Sequence, residues 1–135
     1  MLIHHFGLTV PDLDIATDWY GRAVGYLPFA KTRNEDLKLD MVLLKSETSD
    51  CYLELFHSPG QTRREPEFSD IPAHLPFEGW RHPAFIVSNI AAELERVAAH
   101  GIDVISQPVR VEEFGYSYAF LRDPFGNLVE FVEKI

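Results

Sequence analysis

His5, Glu54, His82 and Glu130 are of residue types that bind metals, and they are spaced as two copies of one arrangement. Glu54 follows His5 by 49 residues and Glu130 follows His82 by 48. Each His stands at the start of an apolar, strand-like run (Ile3 to Val10 and Arg81 to Val87). Each Glu lies inside a short one, Tyr52 to Phe56 and Leu128 to Val132. Two neutral imidazoles and two carboxylates hold a divalent cation without thiolates. Such a set suits zinc, nickel, cobalt, manganese or iron, and leaves about two positions of an octahedron for water or substrate. A single His on an apolar strand is more often a hydrogen-bonded rim residue, and a single Glu in a strand usually faces solvent. A solvated face has no reason to repeat His-then-Glu at nearly equal separation, so the joint recurrence favours ligation.

Other polar residues read differently. Strand alternation turns His4 away from the face of His5, which assigns His4 to packing or surface. The same alternation puts Ile3, Gly7 and Thr9 beside His5, and Tyr52 and Phe56 beside Glu54, as walls of a site. His57, His74 and His100 fall at a strand end, in a connecting arm and at a helix end, and are expected on the surface. Asp123 and Asn127 belong to a turn. Arg22, Arg33, Arg81 and Arg110 read as surface charges that can also meet an anionic substrate.

The elements that must position these residues follow from the pattern along the chain. Ile3 to Val10 is a strand stopped by Pro11. A helix follows, capped by Asp12 or Asp14, with Leu13, Ala16, Tyr20, Ala23 and Val24 at helical spacing before Gly25. Leu27 to Arg33, Leu37 to Lys45 and Cys51 to His57 are three strands separated by turns. In the second half, His82 to Val87 is a strand, and Ser88 or Asn89 caps a helix from Ile90 to His100. Ile102 to Val111, Tyr116 to Arg122 and Leu128 to Val132 complete the set. The expected fold is therefore α+β: two β-α-β-β-β modules, about 1–57 and about 80–135, with curled mixed sheets forming a shared cleft and helices outside. Between them, Ser58 to Gly79 is a connecting arm that Pro59, Pro66, Pro72 and Pro76 keep free of strand or helix. Arg63, Arg64, Glu65 and Glu67 keep it wet, and Phe77 and Trp80 are expected to anchor its end in apolar surface.

Composition narrows the function classes. A chain of 135 residues with 46% apolar side chains is one domain by length, large enough for a real core. Its formal net charge of −9 repels phosphate backbones and anionic lipid surfaces, so neither nucleic acid nor membrane is an expected partner. No apolar run reaches membrane-spanning length and no signal-peptide pattern opens the chain, which gives a cytoplasmic expectation. Cys51 is the single cysteine. That excludes an internal disulfide and a thiolate zinc cluster, and Cys51 reads as a small residue beside a strand.

At these residues the sequence resembles the vicinal oxygen chelate superfamily, which contains glyoxalase I, methylmalonyl-CoA epimerase, extradiol dioxygenases and antibiotic-resistance proteins. The resemblance covers essentially the whole chain. It rests on His5 through Leu13 with Trp19 and Tyr20, on Leu53 to Phe56, on Arg81 to Val87 and, most characteristically, on Asp123 to Glu130. It implies paired β-α-β-β-β modules, often in a homodimer, with His5, Glu54, His82 and Glu130 as metal ligands. The His, Glu, His, Glu set is similar to that of bacterial-type glyoxalase I. It implies a divalent-metal-dependent isomerase or lyase acting on a small oxygenated metabolite through an enolate or enediolate, with Glu130 or Glu54 as the proton-transferring base. An iron-dependent ring-cleaving dioxygenase and a non-catalytic small-molecule or antibiotic-binding protein are the alternatives. The chain departs from glyoxalase I at Thr9, where that enzyme usually carries an Arg for the glutathione carboxylate. It departs again at Val111 to Gly115, which is acidic where a basic, glycine-rich stretch is usual. The epimerase usually carries Gln at the position of Glu54, and extradiol dioxygenases hold iron by two His and one Glu.

Overall fold

The computed structural model describes residues 2–63, 70–76 and 78–135. The chain divides into two compact units, Met1–Arg64 and Glu65–Ile135.

In the first unit the elements are β1 (His5–Thr9), α1 (Leu13–Val24), β2 (Tyr26–Asn34), β3 (Leu39–Ser46) and β4 (Tyr52–His57). The Asp12 carboxylate caps α1 by accepting from the Ile15 N–H at 2.9 Å. Gly25, at φ 69°, ends the helix in the left-handed conformation that glycine adopts without strain. The sheet order is β1-β4-β3-β2, with β1 parallel to β4 and the other pairs antiparallel. The α1 residues Ala16, Trp19, Tyr20 and Ala23, spaced for one helical face, are buried together with Val10, Tyr26, Val42, Leu44, Leu53 and Leu55. This core consumes one face of the sheet and leaves the other face open.

Burial pushes the Tyr26 hydroxyl above its ordinary pKa, helped by its hydrogen bond with Cys51. Tyr26 therefore stays protonated at any physiological pH and serves packing rather than proton transfer.

The second unit repeats the plan. Its elements are α2 (Ile71–His74), β5 (Ala84–Ile86), α3 (Ile90–Ala99), β6 (Asp103–Val104), β7 (Val109–Val111), β8 (Tyr116–Arg122) and β9 (Leu128–Lys134). The order is β5-β9-β8-β6, with β7 also pairing β8, and β5 runs parallel to β9. Asn89 caps α3 by accepting from Ala92, and Glu133 accepts from the Ile90 N–H at 3.0 Å. Ile90, Leu94 and Val97 are buried, as are Ala119, Leu121, Val129 and Phe131 of the sheet. Again one sheet face is spent on a helix.

Four expectations are corrected here. The single strand expected over Ile102 to Val111 is two short strands. Between them, Ile105 donates to the Phe120 carbonyl at 2.9 Å, Ser106 Oγ accepts from the Phe120 N–H at 2.8 Å, and Pro108 has no N–H to give. The arm contains a helical turn after all: Asp70 caps α2 through the Ala73 N–H, and Pro72 sits in the first turn, where a missing N–H costs nothing. Trp80 is 98% exposed rather than anchored, and His74 is buried rather than on the surface. Phe77, Arg64, Glu65, Pro66 and Glu67 lie outside the described residues. Among the described residues no helix is long and apolar enough to cross a membrane.

The turn between β8 and β9 is held by one side chain. Buried Asp123 accepts from the N–H groups of Phe125 (2.9 Å) and Asn127 (2.8 Å) and from Asn127 Nδ2 (2.7 Å). Asp123→Ala strands these donors, so a loss of about 2–3 kcal/mol is expected in urea unfolding. A loss under about 0.5 kcal/mol would remove Asp123 from this role.

Candidate functional site

The two His–Glu pairs lie on the sheet faces that the helices leave free, one pair in each unit. In β1, His5, Gly7 and Thr9 are exposed while Phe6 and Leu8 are partly covered; in β4, Leu53 and Leu55 are buried and Tyr52, Glu54 and Phe56 only partly so. His5 stands opposite Tyr52 in the register, and Gly7 opposite Glu54. His5 Nε2 lies 3.6 Å from Glu54 Oε2.

In the second unit, Ala84 stands opposite Glu130, which pairs in turn with Phe120, and His82 lies two residues before Ala84. His82 Nε2 lies 3.2 Å from Glu130 Oε2, and the His82 ring meets Phe120 edge-on with centroids 4.8 Å apart. In both units the Glu is thus diagonal to its His across a parallel strand pair. The nearly equal sequence offsets have a matching spatial counterpart.

This spacing answers whether the residues fit a cation. Two donors about 2.1 Å from one metal, at angles between octahedral and tetrahedral, stand about 3.0–3.4 Å apart. The His82–Glu130 separation of 3.2 Å falls inside that range, and the His5–Glu54 separation of 3.6 Å lies just above it. Both pairs have the donor types of two adjacent ligands, and the second pair already has their spacing. Among the described residues no group of three or more His, Cys, Asp or Glu gathers as a metal site, so the structure presents two pairs, each within its own unit.

The pairs differ in surroundings. The Glu54 side chain is 24% exposed and the Glu130 side chain 12%. His82 Nδ1 is buried with no hydrogen-bond partner among the described residues. His5 is exposed, and its Nδ1 lies 2.9 Å from His4 Nδ1. That contact corrects the face expected for His4, while its exposure and its packing on Tyr52 agree with the packing or surface role read from the sequence. Alternation applies only inside the strand, β1 begins at His5, and the His4 ring turns back to pack on Tyr52 with centroids 5.0 Å apart.

The walls are apolar. The ring of Phe56 lies over Gly7: a Cβ built there would sit 2.9 Å from Phe56 Cε2. Gly7 therefore admits the close approach of that ring, and Gly7→Ala must push the ring aside. The expected cost is about 1–3 kcal/mol, read by thermal unfolding, with Gly7→Ala/Phe56→Leu recovering most of it. Failure of the pair to recover would mean that Phe56 is not what the new methyl meets.

The four arginines considered for anion binding are committed within the chain. Arg22 pairs with Asp18 (2.9 Å), and Arg33 with Asp40 (2.8 Å) and Glu35 (3.2 Å). Arg81 donates to the carbonyls of His74, Glu78 and Gly79. Arg110 pairs with Glu112 at 2.6 Å and holds that carboxyl below its ordinary pKa. The acidic stretch before β8 is thus partly neutralised from within. His57 Nδ1 lies 3.3 Å from the Val10 carbonyl, and His100 is exposed at the end of α3.

The model of the Glyoxalase/Bleomycin resistance protein/Dioxygenase superfamily matches residues 2–131. The chain belongs to that superfamily. Among solved structures, this superfamily member is similar to a glyoxalase family protein from Enterococcus faecalis (23% identity, 98% of this chain and 97% of that one, TM-score 0.78). It is similar to the trypanothione-dependent glyoxalase I of Leishmania major (23% identity, 98% and 86%, TM-score 0.70). It is also similar to an antibiotic-binding protein from a Streptomyces species (18% identity, 100% and 97%, TM-score 0.72). At these identities the likeness shows the fold. Among curated proteins none matches. The β-α-β-β-β plan expected for this superfamily is the one both units of the chain display, with mixed sheets of four and five strands.

Proposed function

We propose that the chain is a divalent-metal-dependent lyase or isomerase of the glyoxalase type, in which His5, Glu54, His82 and Glu130 ligate one cation. The observation that carries this is the duplicated diagonal His–Glu pair, with N···O spacings of 3.6 and 3.2 Å on the helix-free face of each sheet. One cation per chain satisfies all four ligands equally well if the modules pair within a chain or across a homodimer. The bound cation supplies Lewis acidity toward the oxygens of a small oxygenated substrate.

The chain's own residues divide the remaining work. His5 and His82 anchor through Nε2, the nitrogen each turns toward its Glu. Glu130, the less exposed carboxylate with the shorter contact to its His, holds. Glu54, more exposed and farther from its His, is the base that takes a proton from the carbon next to a carbonyl and returns it to the neighbouring carbon. The aromatic side chains beside the pairs, Tyr52, Phe56 and Phe120, limit water at the reacting carbons and suit a neutral substrate body. Thr9 and the mutually paired Arg110 and Glu112 offer no free cation to a glutathione carboxylate.

The test uses zinc-, nickel- or cobalt-loaded protein in deuterated water with small α-hydroxyketones and hemithioacetals of 2-oxoaldehydes. Deuterium entry at the carbon next to the carbonyl, read by proton NMR, is the expected result. Protein that retains metal but exchanges no substrate in this set loses the isomerase assignment. Oxygen uptake with a catechol would then point to ring cleavage, and tight binding without turnover to a sequestering protein.

A further inference from the structure

We propose that His4 is a positioning residue that sets the tautomer of His5, leaving His5 Nε2 with a free lone pair for the cation. The inference rests on the assignment of His5 as a ligand. The two Nδ1 atoms lie 2.9 Å apart, a separation that requires one proton between them. The rings meet edge-on, with centroids 5.2 Å apart and an interplanar angle of 87°, so one nitrogen points at the other. His4 is itself held from two sides: its ring packs on Tyr52, and its carbonyl accepts from the Tyr52 N–H at 2.8 Å.

The direction of the hydrogen bond follows from the other end of His5. Its Nε2 stands 3.6 Å from Glu54 Oε2, too far for a hydrogen bond that would keep a proton there. On this assignment His5 donates Nδ1–H to His4 Nδ1, and His4 carries its own proton on Nε2. A metal-ligating imidazole usually gives its second N–H to a carboxylate or a carbonyl; here a neighbouring imidazole does so, from the residue immediately before the ligand. The second pair has no such device. His82 Nδ1 has no partner among the described residues, while its Nε2 is within hydrogen-bond range of Glu130 at 3.2 Å. His82 thus serves as an internal reference that changes at His4 do not reach.

The experiment records long-range proton–nitrogen correlation spectra of the metal-free protein at mildly alkaline pH, together with zinc affinity by equilibrium titration. His4→Phe keeps a ring on Tyr52 but removes the accepting nitrogen, and His4→Asn places an amide oxygen where Nδ1 stood. In the wild-type protein His5 is expected as the Nδ1–H tautomer. It shifts to Nε2–H in His4→Phe and returns in His4→Asn. Zinc affinity falls about tenfold in His4→Phe and recovers to within about twofold in His4→Asn. A wild-type His5 already protonated at Nε2, a tautomer indifferent to His4→Phe, or a tautomer shift with unchanged zinc affinity each overturns the proposal. A wild-type protein that shows the expected tautomers but takes up no zinc overturns the metal assignment instead.

Discussion

Glu130→Gln lowers the affinity for a divalent cation by at least about 100-fold and leaves the fold intact. The lower bound follows from substitutions around metal ligands, which typically cost about 10–100-fold; removing a ligand charge outright costs more. Gln has the volume of Glu but offers a neutral oxygen in place of a carboxylate. Glu130 lies on the sheet face opposite to Val129 and Phe131, which are 0% and 1% exposed and carry the packing against α3. Its substitution is therefore expected to act on cation binding and to leave the packing against α3 in place. Zinc titration paired with thermal unfolding checks both halves. Wild-type zinc affinity in Glu130→Gln would remove it from the ligand set. A cooperative transition lost along with the metal would mean that Glu130 serves the fold.

Glu54→Gln has the larger effect on turnover. At saturating metal, exchange of the substrate proton is expected to fall by about 10²–10⁴-fold, the range that a positioned general base contributes. Zinc affinity falls less than in Glu130→Gln, because Glu54 is the more exposed carboxylate and stands farther from its His. The asymmetry is the informative part. If Glu130→Gln at saturating metal loses exchange and Glu54→Gln keeps it, the roles of the two carboxylates are reversed.

The duplicated plan is legible in the residues because each module spends one periodic apolar face on its own helix, which leaves alternation to decide what the other face carries. Alternation places Gly7 and Thr9 beside His5, and Tyr52 and Phe56 beside Glu54, as the burial of β1 and β4 confirms. The rule breaks where the strand ends. His4 precedes β1, and its neighbours are set by the pairing of His5 with Tyr52, a contact between residues 47 apart that no local pattern encodes. The two-part strand over Asp103 to Val111 was hidden for a similar reason. Ser106 substitutes a side-chain acceptor for a backbone one, and only the register with Phe120 reveals it. Trp80 shows the limit of hydrophobicity as a guide. A large apolar side chain was expected to be anchored and is 98% exposed, because burial depends on what packs nearby.

The four-ligand assignment is tested most directly by counting cations. Isothermal titration of the metal-free chain with zinc, with elemental analysis of the dialysed product, should give one tightly held zinc per chain, lost in His5→Ala and in His82→Ala alike. No zinc retained would contradict the assignment outright. Two independent zinc ions per chain, each lost with only its own histidine, would show that the pairs act separately rather than on one shared cation.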